Sequence, residues 1–265
     1  MTQVIIPHIA QKQIAQSISD GKRLDGRGLT DYREVQLEAG IIGSAEGSAR
    51  VRLGKTEVLV GIKIEVGTPF SDIPNEGVLT VNAELVPLAS PTFETGPPSK
   101  EAIELARVVD RGIRESKAIA LEKLCAIPKK KVFIIFIDIY VLNHDGNLID
   151  ASALAALAAL LNTKMFKYQV KDSEIEIKPG YTQLPIRNHP IAVTLAKINE
   201  KLIVDPEIGE EQVMDTRLTM TIEKDGKICA MQKGGSGYFT TQQILEAAKI
   251  AQEKSVELRK LMVKG

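Results

Sequence analysis

Four basic residues stand at helical spacing in the segment KEAIELARVVDRGIRES: Lys100, Arg107, Arg111 and Arg114. At 100° per residue the three arginines fall within an arc of roughly 60°, and Lys100, one heptad before Arg107, lies close to it. Such a stripe can hold successive phosphates of an RNA strand through bidentate, charge-assisted hydrogen bonds that are indifferent to base identity. The same spacing puts Asp110 three residues after Arg107 and four before Arg114, and Glu115 four after Arg111. A solvated face whose charges pair with one another has this pattern too, and spacing alone favours it. A second candidate is VLNHDGNLIDASALAALAALLN, residues 141–162, which reads as a strand end, a tight turn and an alanine-rich helix. Helix N-termini in this setting are where α/β enzymes hold phosphate.

Other groups promise less. The GGSG at 234–237 lacks the spacing and the Lys-Ser/Thr ending of a nucleotide loop and reads as a turn into a helix. His8, His144 and His189 have no triad-like or metal-ligand company, so surface or structural roles are expected. The acids of VDPEIGEEQVMD show no ligand spacing and read as a solvated loop. Cys125 and Cys229 are too isolated for a disulfide framework or a zinc site, which fits a reducing, cytoplasmic setting without a metal or other cofactor. Neither the first 23 residues nor any later run is apolar enough to be exported or to span a membrane.

The elements that must position these residues are legible in outline. With 44% hydrophobic and 26% charged residues, a chain of 265 can bury a full core, and its 34 basic residues cancel its 34 acidic ones. Binding of nucleic acid must therefore come from a local patch. An amphipathic helix is expected at 8–20, and strands at 33–39, 47–53, 56–66 and 78–88, with a hairpin turn at Gly54-Lys55. Ser99 should cap a helix running to about Leu124. KVFIIFIDIYVL is apolar at nearly every position, the pattern of a central strand buried on both faces. Strands at 191–198, 201–204, 213–223 and 227–233 and a helix from Thr240 or Thr241 to about Leu261 repeat the strands-then-helix order. The expectation is an α+β chain of two β-α lobes, 1–167 and 191–265, joined by the polar stretch 168–190.

RLDGRGLTDYR, ELARVVDRGIRES, YVLNHDGNLIDASALAALAAL and VMDTRLTMTIEKDGKICAMQKGG, in this order, together resemble the RNase PH-like family, and within it the non-catalytic type of ring subunit in the archaeal exosome. The resemblance covers nearly the whole chain. It implies an RNase PH-like fold with mixed sheets and packed long helices, in a phosphate-dependent 3′-to-5′ exoribonuclease ring. The implied partners are a catalytic RNase PH-like subunit alternating with this one in a hexamer, single-stranded RNA, and cap proteins that bind RNA. Active members follow the turn with a small residue, Ser or Thr, then Arg, which hold the attacking phosphate. Here Asn147, Leu148 and Ile149 stand there, and neither leucine nor isoleucine donates a side-chain hydrogen bond to an oxyanion. An aspartate that active members carry before the next strand falls, counting back from Asp215, on Gly209, with Asp205, Glu210 and Glu211 nearby.

On this reading the turn is a vacated phosphate site with no catalytic residue, and the resemblance favours Arg107 and Arg111 as RNA-phosphate ligands, with Lys100 and Arg114 as weaker additions. Two rivals remain: a self-sufficient phosphorolytic exonuclease, against which Leu148 and Ile149 speak, and a small-molecule kinase, for which a phosphate loop is missing.

Overall fold

A computed structural model describes residues 7–172 and 174–262. After helix α1 (His8–Ser19), strands β1 (Val35–Ala39), β2 (Gly47–Leu53), β3 (Thr56–Gly67) and β4 (Val78–Leu85) lead to helix α2 (Lys100–Glu115). A 3-10 turn (Leu121–Leu124), β5 (Cys125–Ile127) and β6 (Lys131–Asn143) follow, then helix α3 (Leu148–Asn162) and the hairpin of β7 (Lys164–Lys171) and β8 (Glu174–Gln183). The second half holds β9 (Ile191–Ile198), β10 (Lys201–Val204), the short helix α4 (Ile208–Val213), β11 (Thr216–Ile222), β12 (Ile228–Gly234) and α5 (Thr241–Met262).

The first sheet runs β1-β2-β3-β6-β4, with β5 on the start of β6. It is mixed: β4 lies parallel to β6, joined by a crossover through α2, while the β2–β3 and β3–β6 pairs are antiparallel. The second sheet, β10-β9-β11-β12, is antiparallel throughout. Helix α3 lies between them, packed on β2 and β3 on one side and on β9 on the other. That double cover explains its sequence, because a helix buried all round needs no polar face and its alanines let two sheets approach. Ala151, Leu154, Ala155, Ala156, Leu157, Ala159 and Leu160 are all essentially inaccessible. At Gly47 on β2 a Cβ would sit 2.6 Å from the carbonyl oxygen of Ala159. Helix α5 packs against β9 and β11, while Thr194 and Thr221, on the alternate face, turn toward α3 and α2.

Three expectations are corrected, and the connecting stretch is seen to carry strands. Helix α2 stops at Glu115, nine residues short of Leu124, in a Schellman motif: the N–H of Lys117 donates to Arg114 and that of Ala118 to Ile113. Its left-handed residue is Lys117, at φ 50°, where sequence reading looks for glycine. The chain beyond it is extended and buried, pairing Ile119 with Ile186. Strand β6 is buried on one face only: Phe133, Ile135, Ile137, Ile139 and Val141 are sealed, whereas Ile134, Phe136 and Asp138 are partly open and Tyr140 is exposed. Much of the stretch 168–190 is hairpin, anchored by Phe166 and Tyr168 edge-on to Phe133. Finally, the strand expected from 213 begins at Thr216, because Ile208–Val213 is helical under a capping box between Glu207 and Glu210.

Candidate functional site: an open arginine pair and a closed turn

Helix α2 starts at a capping serine, since Ser99 Oγ accepts from the N–H of Ala102. Its apolar face, Leu105, Val108, Val109, Gly112 and Ile113, is buried toward β4 and β12, which turns the basic stripe outward. Gly112 is needed at the crossing, where a Cβ would meet the Thr221 side chain at 3.3 Å. The self-pairing that spacing suggested holds for one arginine: Arg114 donates to both oxygens of Asp110 at 2.7 and 3.0 Å and to the carbonyl of Leu79 at 3.1 Å. Arg107 and Arg111 are exposed and make no hydrogen bond or ion pair with any described residue. Glu115 is four residues from Arg111 and does not engage it. Lys100 is exposed at the first turn of the same helix. Arg111 borders a crevice formed with Val108, Thr219, Thr221 and Gln232 and remains exposed.

At the other candidate, the turn after β6 is held from every side. Gly146, at φ 85°, must be glycine for space as well as for conformation, because a Cβ would lie 2.5 Å from the backbone of Pro206 and Glu207. Asn147 follows in the left-handed region at φ 52°, 1% exposed, as the N-cap of α3. Its amide nitrogen donates to Asp150 at 2.9 Å and Asp205 at 2.8 Å, and its backbone N–H donates to Glu211 Oε1 at 2.8 Å. Arg33 grips Asp205 through two nitrogens at 2.9 and 2.7 Å and donates to the carbonyls of Asp145 and Gly146. Thr56 Oγ1 donates to the Gly146 carbonyl at 2.7 Å and accepts from the N–H of Asp145. Leu148 is partly covered and Ile149 is 6% exposed, so neither offers a polar group at the helix entry.

The acids read from sequence as a solvated loop are engaged instead. Asp205, whose side chain is fully buried, meets Arg27 as well as Arg33. Burial works to raise its carboxyl, but the hydrogen bonds and charge of Arg33, with help from Asn147, hold it below the usual range. Glu210 is buried against Arg23, which also donates to the carbonyls of Val204 and Asp205. Gly209 sits within α4 and brings no acid to the turn. Asp150, in the first turn of α3, is sealed: it accepts from Tyr32, Asn147, the N–H of Thr194 and the Thr194 hydroxyl. Burial pushes its carboxyl up to about 6 against these lowering hydrogen bonds. Sequence reading missed Arg23, Arg27, Tyr32 and Arg33 as the arms of this network, although the segment RLDGRGLTDYR was visible as a motif.

Beside the turn opens a groove of about 1130 Å³, walled by Glu84, Glu94, Glu101 and Glu211 together with Phe93 and Pro98. Its one arginine, Arg217, pairs with Glu104 at 2.8 Å. The wall of the groove beside the turn is thus rich in carboxyl groups, while Arg107 and Arg111 stand exposed on α2. No group of histidine, cysteine or acidic residues among those described could hold a metal ion.

A mixed sheet and an antiparallel sheet clasping one alanine-rich helix define a two-lobed α+β protein of the RNase PH type. The chain belongs to the 3′ exoribonuclease family: residues 31–165 match its domain 1 and residues 188–254 its domain 2. It is 52% identical over 263 residues to the exosome complex component Rrp42 of Thermococcus kodakarensis, covering 98% of this chain and 97% of that one. The corresponding component of Methanopyrus kandleri is 48% identical over 257 residues, covering 97% and 96%. A chain of the Archaeoglobus fulgidus exosome with RNA bound to the active site superposes with a TM-score of 0.88 at 46% identity, covering 95% of this chain and 97% of that one.

Proposed function

We propose that this chain is a non-catalytic, RNA-binding subunit of an exosome ring, in which a catalytic RNase PH-like partner performs phosphorolysis and this subunit completes the partner's site and guides the RNA. The observation that carries the reading is the contrast within one molecule. The turn where phosphate chemistry belongs is filled by Asn147, Leu148, Ile149 and the chain's own carboxyl groups, while Arg107 and Arg111 stand on an outward helix face without a partner among the described residues. They are separated by about 6 Å along the axis, and Lys100 by roughly 10 Å more, so the stripe tracks a strand of phosphates rather than a single ion. Arg114, tied to Asp110, adds field rather than a contact. Relatives named as exosome components and a matching exosome structure with RNA bound support this reading. It places the chain in an alternating hexamer under RNA-binding cap proteins, in the cytoplasm; no described helix is long and apolar enough to cross a membrane.

The test is reconstitution. The purified chain, given single-stranded RNA and inorganic phosphate, should release no nucleoside diphosphate; mixed with a catalytic RNase PH-like partner it should form a hexamer more active than the partner alone. Phosphorolysis that follows this polypeptide through chromatography, or a mixture whose species stay separate in light scattering at micromolar concentration, would overturn the proposal.

A further inference from the structure

Helix α3 lacks the side chains that would hold a phosphate, and its entry is also occupied. The N–H of Asn147 points at Glu211 Oε1 at 2.8 Å. Glu211 reaches it from α4, which cannot drift: Glu210, one residue earlier, is buried against Arg23, and the backbone of 206–208 lies directly on Gly146. The turn is equally fixed on its own side, by Arg33 on the Asp145 and Gly146 carbonyls and by the Asn147 amide on Asp205. Glu211 also forms part of the groove wall, so the residue that accepts from the Asn147 N–H is one that borders the groove. A carboxylate held by a backbone N–H at a helix entry makes the same interaction that a phosphate oxygen makes there.

We propose that Glu211 is a resident ligand: its carboxyl oxygen fills the oxyanion position at the N–H of Asn147 and closes the turn to phosphate. This deepens the reading above and rests on it. It assigns the exclusion of phosphate to occupancy by a built-in side chain, in addition to the loss of ligands at Leu148 and Ile149. Removing the side chain leaves the Asn147 N–H without its acceptor, next to the space that Glu211 occupied.

The test compares the full-length wild type with Glu211→Ala and Glu211→Gln, using thermal melts in inorganic phosphate against chloride at matched ionic strength. The wild type should melt at the same temperature in both salts. Glu211→Ala should show a saturable rise in melting temperature with phosphate, and Glu211→Gln, which keeps an oxygen for the Asn147 N–H, should behave as the wild type. A wild type that responds as strongly as Glu211→Ala, or a folded Glu211→Ala that responds no more than the wild type, overturns the proposal. Should Glu211→Ala not fold, amide exchange in the wild type decides: the Asn147 N–H must be protected and unchanged by phosphate, and an unprotected or phosphate-sensitive N–H overturns the idea. Neither measurement uses RNA or a partner, so a negative result leaves the ring-subunit reading standing, and phosphorolysis by the wild-type chain overturns that reading separately.

Discussion

Replacing Asp150 with asparagine converts a buried carboxyl, which burial pushes from 3.8 up to about 6, into a neutral group of the same shape. A rise of about two units, at about 1.4 kcal/mol each, amounts to about 3 kcal/mol of linkage. The folded protein binds this proton more tightly than the unfolded chain, so the stability Asp150 contributes is fully present below its ordinary value of 3.8 and is lost as pH rises through about 6. The variant has no such term. Its amide oxygen can accept from Tyr32, Asn147 and the N–H of Thr194, while its nitrogen donates to the Thr194 hydroxyl, which is free to turn its own proton to Thr219 Oγ1 at 2.8 Å. The difference in unfolding free energy between Asp150→Asn and the wild type, from urea titrations at intervals between pH 4 and pH 7, should therefore move by up to about 3 kcal/mol in favour of the variant. Taking the difference removes the other titrating groups. A difference that stays flat across this window refutes the reasoning, because burial would then not be acting on this carboxyl.

Three further outcomes follow from the same network and from α2. Reversing Arg107 and Arg111 to glutamate in the assembled ring should lower RNA affinity and reduce the slope of log K against log salt by about 1.4, read by fluorescence anisotropy; an unchanged slope in a well-folded ring returns these arginines to ordinary surface. Asp205→Ala takes from the buried charge of Arg33 its nearest carboxylate, leaving only Asp145 at 3.6 Å, and should cost about 3 kcal/mol in denaturant titration. In the wild type, the depressed Asp205 carboxyl contributes stability that is present above the ordinary carboxylate value and is lost as pH falls through its lower folded value. Gly146→Ala combines a left-handed backbone with a Cβ 2.5 Å from the backbone of residue 207, so it should destabilise by several kcal/mol, on the order of 3, with a matching drop in melting temperature.

Strand and helix order was legible because burial follows period: the alternation of β3, the all-buried run of β9 and the alanine content of α3 each show their surroundings in the sequence. What stayed hidden has specific physical causes. Lys117 adopts a left-handed conformation that its type does not announce, so the end of α2 was misplaced. The outer face of β6, with Ile134, Phe136 and Tyr140, is largely apolar yet only partly covered by the described residues, so its composition could not distinguish one buried face from two. At the candidate site, the departures at Leu148 and Ile149 could be read directly, whereas the use of Asp205, Glu210 and Glu211 depends on Arg23, Arg27, Arg33 and Asn147 arriving from elsewhere in the fold. Sequence distance conceals such pairings, and so a buried network looked like a solvated loop. The stripe was ambiguous on spacing, because one acid, Asp110, had two basic neighbours and only its geometry shows that Arg114 takes it.

The arms reaching from Arg23, Arg27 and Arg33 to Val204, Asp205 and Glu210 join positions 172 to 187 residues apart. During synthesis these arginines leave the ribosome long before their partners exist. At 5–20 residues per second, the interval is on the order of ten seconds or more, spent with these three guanidiniums lacking their partners at 204–210 and the Asn147 amide lacking Asp205. Helix α3 can lie on β2 and β3 in that time, but its other side waits for β9. Whatever the first lobe forms on the ribosome is therefore provisional, and a chain truncated before residue 205 forfeits the closure of both ends at once.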